Sequence, residues 1–124
     1  TIRYKVNGTC RNSRDGIKIE YTEPELTGMD ETVTTLTAMK DGVVSVNRVG
    51  QINTHMIFEE GKMHACIYNT GYFPMQITIL TTRLENGLTP KGGRLDVEYS
   101  MEIGGQHSAK NRMKLTVTPL GITS

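Results

Sequence analysis

Arg48 is the residue with the clearest capacity for ligand chemistry, because it shares the alternation of an apolar strand. It follows Val44 and Val46 at intervals of two, and residues spaced in this way point to one face of a strand. If that face is interior, the guanidinium can bind a carboxylate or phosphate through two parallel hydrogen bonds. Two other interpretations stay open: the face is external, or Arg48 closes the fold against backbone carbonyls or against Glu59 or Glu60.

Methionine and aromatic side chains supply the apolar part of the same candidate site. Tyrosine combines an apolar ring with a polar hydroxyl, and methionine adapts to irregular apolar ligands. The positions expected to line the interior, of which the first five are the predicted ligand-binding residues, are Arg48, Met56, Phe58, Tyr68, Tyr99, Ile77, Ile79 and Met101. The competing interpretation is a solid core, because a barrel of about eight strands encloses a space that side chains can fill.

The three histidines do not form a metal-binding pattern. His55, His64 and His107 occur without H-E-x-x-H or Cys-His spacing, so we predict no metal site. His55 and His64 could still approach each other across a hairpin that turns near Glu60 and Gly61. Surface histidines are the default interpretation.

The sequence contains no recognisable catalytic motif. There is no G-x-S-x-G elbow and no phosphate loop, and Cys66 has no base at a recognisable spacing. The acidic residues Glu23, Glu25, Asp30 and Glu31 offer paired carboxylates, but we interpret them as a solvated loop at the mouth of the fold. We predict no catalytic residue and no cofactor, and we favour a protein that is not an enzyme.

Composition argues against charged macromolecular partners. The chain has 14 basic and 13 acidic residues, so no net field would attract nucleic acid or an anionic membrane. The best basic stretch, residues 110–114, lacks an aromatic residue. No apolar run approaches a membrane span, and the two cysteines are typical of buried small side chains rather than of a disulfide framework. We predict a cytoplasmic protein, without a membrane partner, that is free to form homo-oligomers.

Glycine-containing turns separate segments in which polar and apolar residues alternate. Examples are Asn7-Gly8, Asp15-Gly16 and Glu60-Gly61, and alternation with period two indicates half-buried strands. The alternation predicts nine strands in one domain of residues 1–124, over residues 2–9, 17–22, 32–39, 43–49, 52–60, 62–69, 73–84, 94–103 and 107–118. Any helix would be a single turn near residues 23–30.

The short connections predict how these strands are arranged. Sequence neighbours must pair antiparallel, and a long meander avoids exposed edges by closing on itself. We therefore predict an all-β fold, a single up-and-down antiparallel β-barrel, in preference to a sandwich with longer crossover loops. Nine strands are awkward for such a barrel, because closure would set the first and last strands parallel.

An ordered series of motifs over residues 15–118 resembles the YwiB-like family. This is a bacterial family of unknown function, and the resemblance implies a calycin-like, or lipocalin-like, barrel and no established activity. The motifs that carry the resemblance are residues 21–29, 32–36, 46–50, 56–61 and 68–70, Gly92 to Leu95, Tyr99 and Asn111.

The sequence departs from the family pattern near residues 11–16. Family members usually carry an additional strand before the segment that contains Tyr21, whereas Arg11 here is followed almost directly by Arg14 and Gly16. Either this protein has lost the strand, or a segment is missing from the sequence at that point. The odd strand count favours the missing segment.

These observations support two hypotheses of function. The first is a non-catalytic module that binds a small apolar or anionic ligand inside the barrel, with the loop of residues 23–32 over its mouth. The second is a structural or protein-interaction barrel that works through its exterior or its edge.

Overall fold

The computed structural model describes residues 5–23, 31–50, 53–69, 74–104 and 106–119, with the backbone alone at 68–69 and 107–109. The secondary structure of these residues is made of β-strands. The strands are β1 (Gly8–Asn12), β2 (Gly16–Thr22), β3 (Val33–Met39), β4 (Val44–Val49), β5 (Thr54–Phe58), β6 (Met63–Asn69), β7 (Pro74–Asn86), β8 (Gly93–Ile103) and β9 (Gln106–Val117). The single helical turn predicted near residues 23–30 falls mostly outside the described residues.

The strands form two antiparallel meanders. Strands β1 to β5 make a five-stranded sheet in sequence order, and β6 to β9 make a four-stranded sheet in sequence order. Every described pairing joins neighbours in the chain, as short connections require. The all-β, antiparallel meander predicted from the alternation is confirmed.

The closed barrel is not what the described residues form, because backbone pairing stops between β5 and β6. These strands are joined by a turn in which the Lys62 N–H donates to the Glu59 carbonyl at 3.0 Å, and Gly61 has a φ of 77°. A positive φ at this position marks a type II turn, which splays the flanking strands. The Gly61 N–H then donates to the Thr81 carbonyl of β7 at 2.8 Å, which ties the turn to the other sheet.

Side-chain direction also opposes a ladder between β5 and β6. A ladder continued from the two-residue turn would set Phe58 opposite Met63, and opposite residues point to the same face. Phe58 is buried, whereas Met63 is 57% exposed. Within the described residues, β1 and β9 likewise do not pair with each other. Closure of nine meander strands would have set these two strands parallel.

The first strand begins later than predicted. Residues 5–7 are not in a strand, and Gly8, which we expected in a turn, pairs with Tyr21 instead. A Cβ at Gly8 would lie 2.5 Å from the carbonyl oxygen of Glu20, so this glycine permits a close approach of strands. β1 continues into β2 through a turn in which the Ser13 N–H donates to the Gly16 carbonyl at 2.7 Å. The missing segment near residues 11–16 stays a prediction.

The two sheets share one apolar core. Cross-strand partners build two apolar rows on the inner face of the five-stranded sheet, namely Ile17, Ala38, Val44 and Phe58, then Cys10, Ile19, Leu36, Val46 and Met56. Ile77, Ile79, Leu95 and Val97 face them from the four-stranded sheet. The ring of Phe58 meets that of Tyr99 edge-on, with centroids 4.9 Å apart. Each such buried side chain stabilises the fold by about 2 kcal/mol.

Two further features bear on the sequence interpretation. Cys10 and Cys66 lie in different sheets and are both free thiols. Within the described residues there is no helix with the length and apolar character needed to cross a membrane.

Candidate functional site

The inner face of the five-stranded sheet changes from apolar to polar along its strands. Beyond the two apolar rows, the next row joins Tyr21, Thr34, Arg48 and Thr54 as successive cross-strand partners on β2 to β5. Register therefore places a guanidinium and two hydroxyls side by side at one end of the core. Glu23 follows β2 at the same end.

Glu23 and Arg48 form an ion pair at this end. The Arg48 Nε lies 3.6 Å from the Glu23 Oε1, and the side chains are 23% and 0% exposed respectively. The Thr34 hydroxyl donates to the same carboxylate oxygen at 2.7 Å. The Arg48 Nη1 points at the Met56 sulfur, 3.8 Å away. The guanidinium is thus held between a buried carboxylate and a thioether, and its charge is balanced from one side.

A cavity of about 210 Å³ lies between the two sheets beside this ion pair. Its walls come from β4 and β5 of one sheet and from β6, β7 and β8 of the other, next to the place where backbone pairing stops. The bordering residues are Arg48, Thr54, Met56, Cys66, Ile77, Ile79, Tyr99 and Met101. We call this space the inter-sheet cavity.

Two hydrogen-bonding groups of the cavity wall lack a partner among the described residues. These are the Arg48 Nε and the Thr54 hydroxyl, and both atoms are buried. The 3.6 Å separation from Glu23 suits an ion pair but is too long for a hydrogen bond. A buried donor without a partner costs about 1–3 kcal/mol, so two on neighbouring strands mark a place where a ligand or water would be held.

Burial affects the two titratable groups on the opposite wall. It raises the pKa of the Tyr99 phenol, an effect that the positive charge of Arg48 partly offsets. Burial also raises the pKa of the Cys66 thiol. Both groups therefore stay protonated at neutral pH, so Tyr99 offers a further O–H donor and Cys66 behaves as a neutral, weakly polar surface.

A second, larger depression of about 560 Å³ lies at the far end of the four-stranded sheet. It is lined by residues of both charges, including Glu85, Asp96 and Lys114. Asp96 is already held by Arg112 through two hydrogen bonds of 2.7 and 3.0 Å. Because this groove is polar and its carboxylate is satisfied, we take the inter-sheet cavity as the candidate site.

Most of the predicted site residues meet in the inter-sheet cavity. Arg48, Met56 and Tyr99 border it, and their role in ligand binding stays a prediction. Phe58 does not border it, because its ring is buried in the core against Tyr99. The side chain of Tyr68 lies outside the described residues. Arg48 faces Glu23 and not the predicted Glu59 or Glu60. Glu59 instead contacts Lys62 and His64. The Glu60 carboxylate accepts a hydrogen bond from the Leu84 N–H.

Three residues of the site were not predicted as such. Thr54 and Cys66 border the cavity, and Thr54 could have been found because it shares the parity of Met56 and Phe58. We had interpreted Glu23 as part of a solvated loop, but it is buried. The inward-pointing Arg48 is the feature of the sequence that could have predicted a buried carboxylate, because a cation removed from water requires a partner of opposite charge.

His55 and His64 are not brought together, and the side chain of His107 lies outside the described residues. His55 hydrogen-bonds Ser45 at 3.1 Å, and His64 contacts Glu59 at 3.0 Å, which lowers the pKa of that carboxyl. Within the described residues, no group of three or more His, Cys, Asp or Glu side chains is placed to hold a metal ion.

Comparisons with known proteins agree with an all-β fold and leave the activity unassigned. A family model described as a domain of unknown function, DUF1934, matches residues 1–115. The uncharacterized beta-barrel protein YwiB of Bacillus subtilis (strain 168) is 21% identical over 115 residues, which cover 93% of this chain and 79% of that protein. No solved structure matches this chain.

Proposed function

This chain belongs to the DUF1934 family of domains of unknown function, and we propose that it is a non-catalytic module that binds a small molecule in the inter-sheet cavity. The observation that carries the proposal is the combination of an apolar wall with unpaired donors around one cavity between the sheets. Met56, Ile77 and Ile79 offer the apolar surface, and Arg48 and Thr54 offer the donors. Binding sites for small molecules commonly have this composition.

The size of the cavity limits the ligand. An apolar cavity of about 150 Å³ accepts a benzene-sized molecule. A space of about 210 Å³ therefore suits one ring, or a short branched chain, with a small polar head. The head would lie toward Arg48 and Thr54, and the apolar body toward Ile77, Ile79 and Met101.

We also propose that the two sheets are an open form of a calycin-like barrel. The B. subtilis relative is called a beta-barrel protein, and two meanders around one core are the topology of a barrel opened at two seams. Here one seam lies between β1 and β9, and the other lies between β5 and β6, next to the cavity. The seam between β5 and β6 would then be the route by which a ligand enters.

Filling the cavity tests the proposed function. One-ring amides and ketones are titrated into the ¹⁵N-labelled protein, and we expect chemical-shift changes confined to the parts of β4 to β8 that border the cavity. Cys66→Phe, which places a ring in the cavity, should abolish them. Ala65→Phe is the matched control, because Ala65 is the neighbouring residue of β6 but is exposed. Shifts scattered over the surface, or equal binding by both variants, would contradict the proposal.

The alternative function, interaction through an edge, has its own observation. Strand β6 is an edge of the four-stranded sheet and exposes Met63 and Ile67, each 57% exposed. Such an edge can pair with another strand. Light scattering over a range of protein concentrations tests for a homo-oligomer. A dimer that Met63→Lys dissociates would favour this alternative.

A further inference from the structure

We propose that Glu23 makes the inter-sheet cavity selective for uncharged ligands that carry a hydrogen-bond acceptor, and against carboxylates of the same shape. The inference rests on the proposed function and names its ligand class. It differs from the interpretation that an inward arginine suggests, in which Arg48 binds an anion. The difference arises from the partner that the arginine already has.

The first step concerns charge. Arg48 is the cation that borders the described cavity, and the Glu23 carboxylate lies 3.6 Å from its Nε. The Glu23 side chain is fully buried, so solvent screens the pair weakly. The two charges of this pair sum to zero. A carboxylate ligand would bring in an uncompensated negative charge near Glu23, whereas a neutral ligand would not.

The second step concerns hydrogen bonds. The charge of Arg48 is balanced, but its Nε–H has no hydrogen-bond acceptor among the described residues. The Thr54 hydroxyl, on the cross-strand neighbour of Arg48, is 92% buried and likewise without a described partner. Two unpaired donors on neighbouring strands favour a ligand with an oxygen that accepts hydrogen bonds. A neutral carbonyl accepts such hydrogen bonds without adding charge.

The third step concerns the carboxylate that enforces this selectivity. Thr34 donates to Glu23 at 2.7 Å from the adjacent strand, which fixes the carboxylate behind the guanidinium. Glu23 is thus a specificity-determining residue that acts through Arg48. Its replacement by the uncharged glutamine leaves Arg48 as an unbalanced cation, which a carboxylate can then neutralise.

Benzamide and benzoate form a matched pair of probes, because they share a shape and differ in charge. Their dissociation constants are measured by calorimetry or NMR titration near neutral pH, for the wild type, Glu23→Gln and Glu20→Gln. Glu20 is the control, since it lies on the same strand but is exposed and accepts from Thr35 at 3.3 Å. Unit charges several ångströms apart in a protein change a dissociation constant by roughly a hundredfold.

We expect the wild type and Glu20→Gln to bind benzamide at least about tenfold more tightly than benzoate, and Glu23→Gln to reverse that order. Binding of both probes with benzoate preferred by the wild type would overturn the inference but leave the proposed function intact. An unchanged preference in folded Glu23→Gln would do the same. If neither probe binds, the proposed function fails and the inference with it. If Glu23→Gln does not fold, the wild-type preference decides alone.

Discussion

The protein carries two groups of ion pairs that are built in opposite ways. On the outer face of the four-stranded sheet, Arg112 binds Asp96 through two hydrogen bonds and approaches Glu98, and Arg83 bridges Glu85 and Glu98. At the inter-sheet cavity, Arg48 meets Glu23 at 3.6 Å with its Nε–H unpaired. The hydrogen-bonded pairs lie on the solvent-facing side of the sheet with exposed arginines, whereas the incompletely satisfied pair joins a fully buried carboxylate to a partly buried guanidinium.

This contrast separates two uses of charge. Exposed ion pairs contribute little to stability. The pairs made by Arg83 and Arg112, which we call the exposed ladder, therefore chiefly favour the observed register of the strands and keep the outer face of the sheet polar. A buried pair is costly unless its hydrogen bonds are complete. An incomplete pair therefore indicates that the site has a requirement other than stability, and the proposed function supplies one in ligand binding.

The largest expected effect comes from removing the guanidinium that pairs with the buried carboxylate. Arg48→Met takes from Glu23 the counter-charge of the described ion pair, which should lower the free energy of unfolding by about 3 kcal/mol. The measurement is urea denaturation followed by circular dichroism. Arg112→Met, on the exposed ladder, is the control and should lower the free energy of unfolding by much less. Equal losses would mean that burial does not distinguish the two groups.

An intermediate effect is expected from the unpaired hydroxyls. Thr54→Val and Thr81→Val each replace a buried hydroxyl, without a described partner, by a methyl group of similar size. Each should stabilise the protein by about 1 kcal/mol. Thr81 does not border the cavity, so only Thr54→Val should also weaken benzamide binding. A loss of stability in both variants would show that the hydroxyls have partners.

The smallest effect concerns the exposed ladder and pH. The hydrogen bonds from Arg112 lower the pKa of Asp96, so the folded state holds its proton less tightly than the unfolded state. The stability from this pair is present above the ordinary aspartate pKa of about 3.9 and is lost as pH falls through the lowered value. The melting temperatures of the wild type and Asp96→Asn should converge as the pH falls through that window. At neutral pH, added salt should reduce the difference between the two melting temperatures. A constant difference across both series would be the contrary result.

Much of the fold could be predicted because its signals are local. Alternation located β2 to β9 to within a few residues, since one face of each strand meets the core. The first strand was misplaced because Asn7-Gly8 has the composition of a turn, and only the close approach to Glu20 explains that glycine. The prediction of a closed barrel failed for a related reason. The separation of β5 from β6 depends on the φ of Gly61 and on its hydrogen bond to the Thr81 carbonyl, which lies twenty residues away in the sequence.

The site was harder to predict because it depends on contacts between sheets. Parity along β4 and β5 placed Arg48 and Met56 inward, but it could not show which carboxylate would reach the guanidinium. Glu23 precedes an acidic loop, and composition alone made it part of that loop. Its burial follows from the register of β2 beside β3, which brings Thr34 within hydrogen-bonding distance.

The interrupted pairing between β5 and β6 makes the chain a candidate for division into two fragments. A cut between Glu60 and Gly61 would remove one backbone hydrogen bond, from Lys62 to Glu59, and would leave each described sheet whole on one fragment. The halves would then reassemble through the shared apolar core and the cavity at its edge. A ligand that bridges both walls would strengthen that reassembly, so the divided protein could serve as a sensor that reports its own ligand.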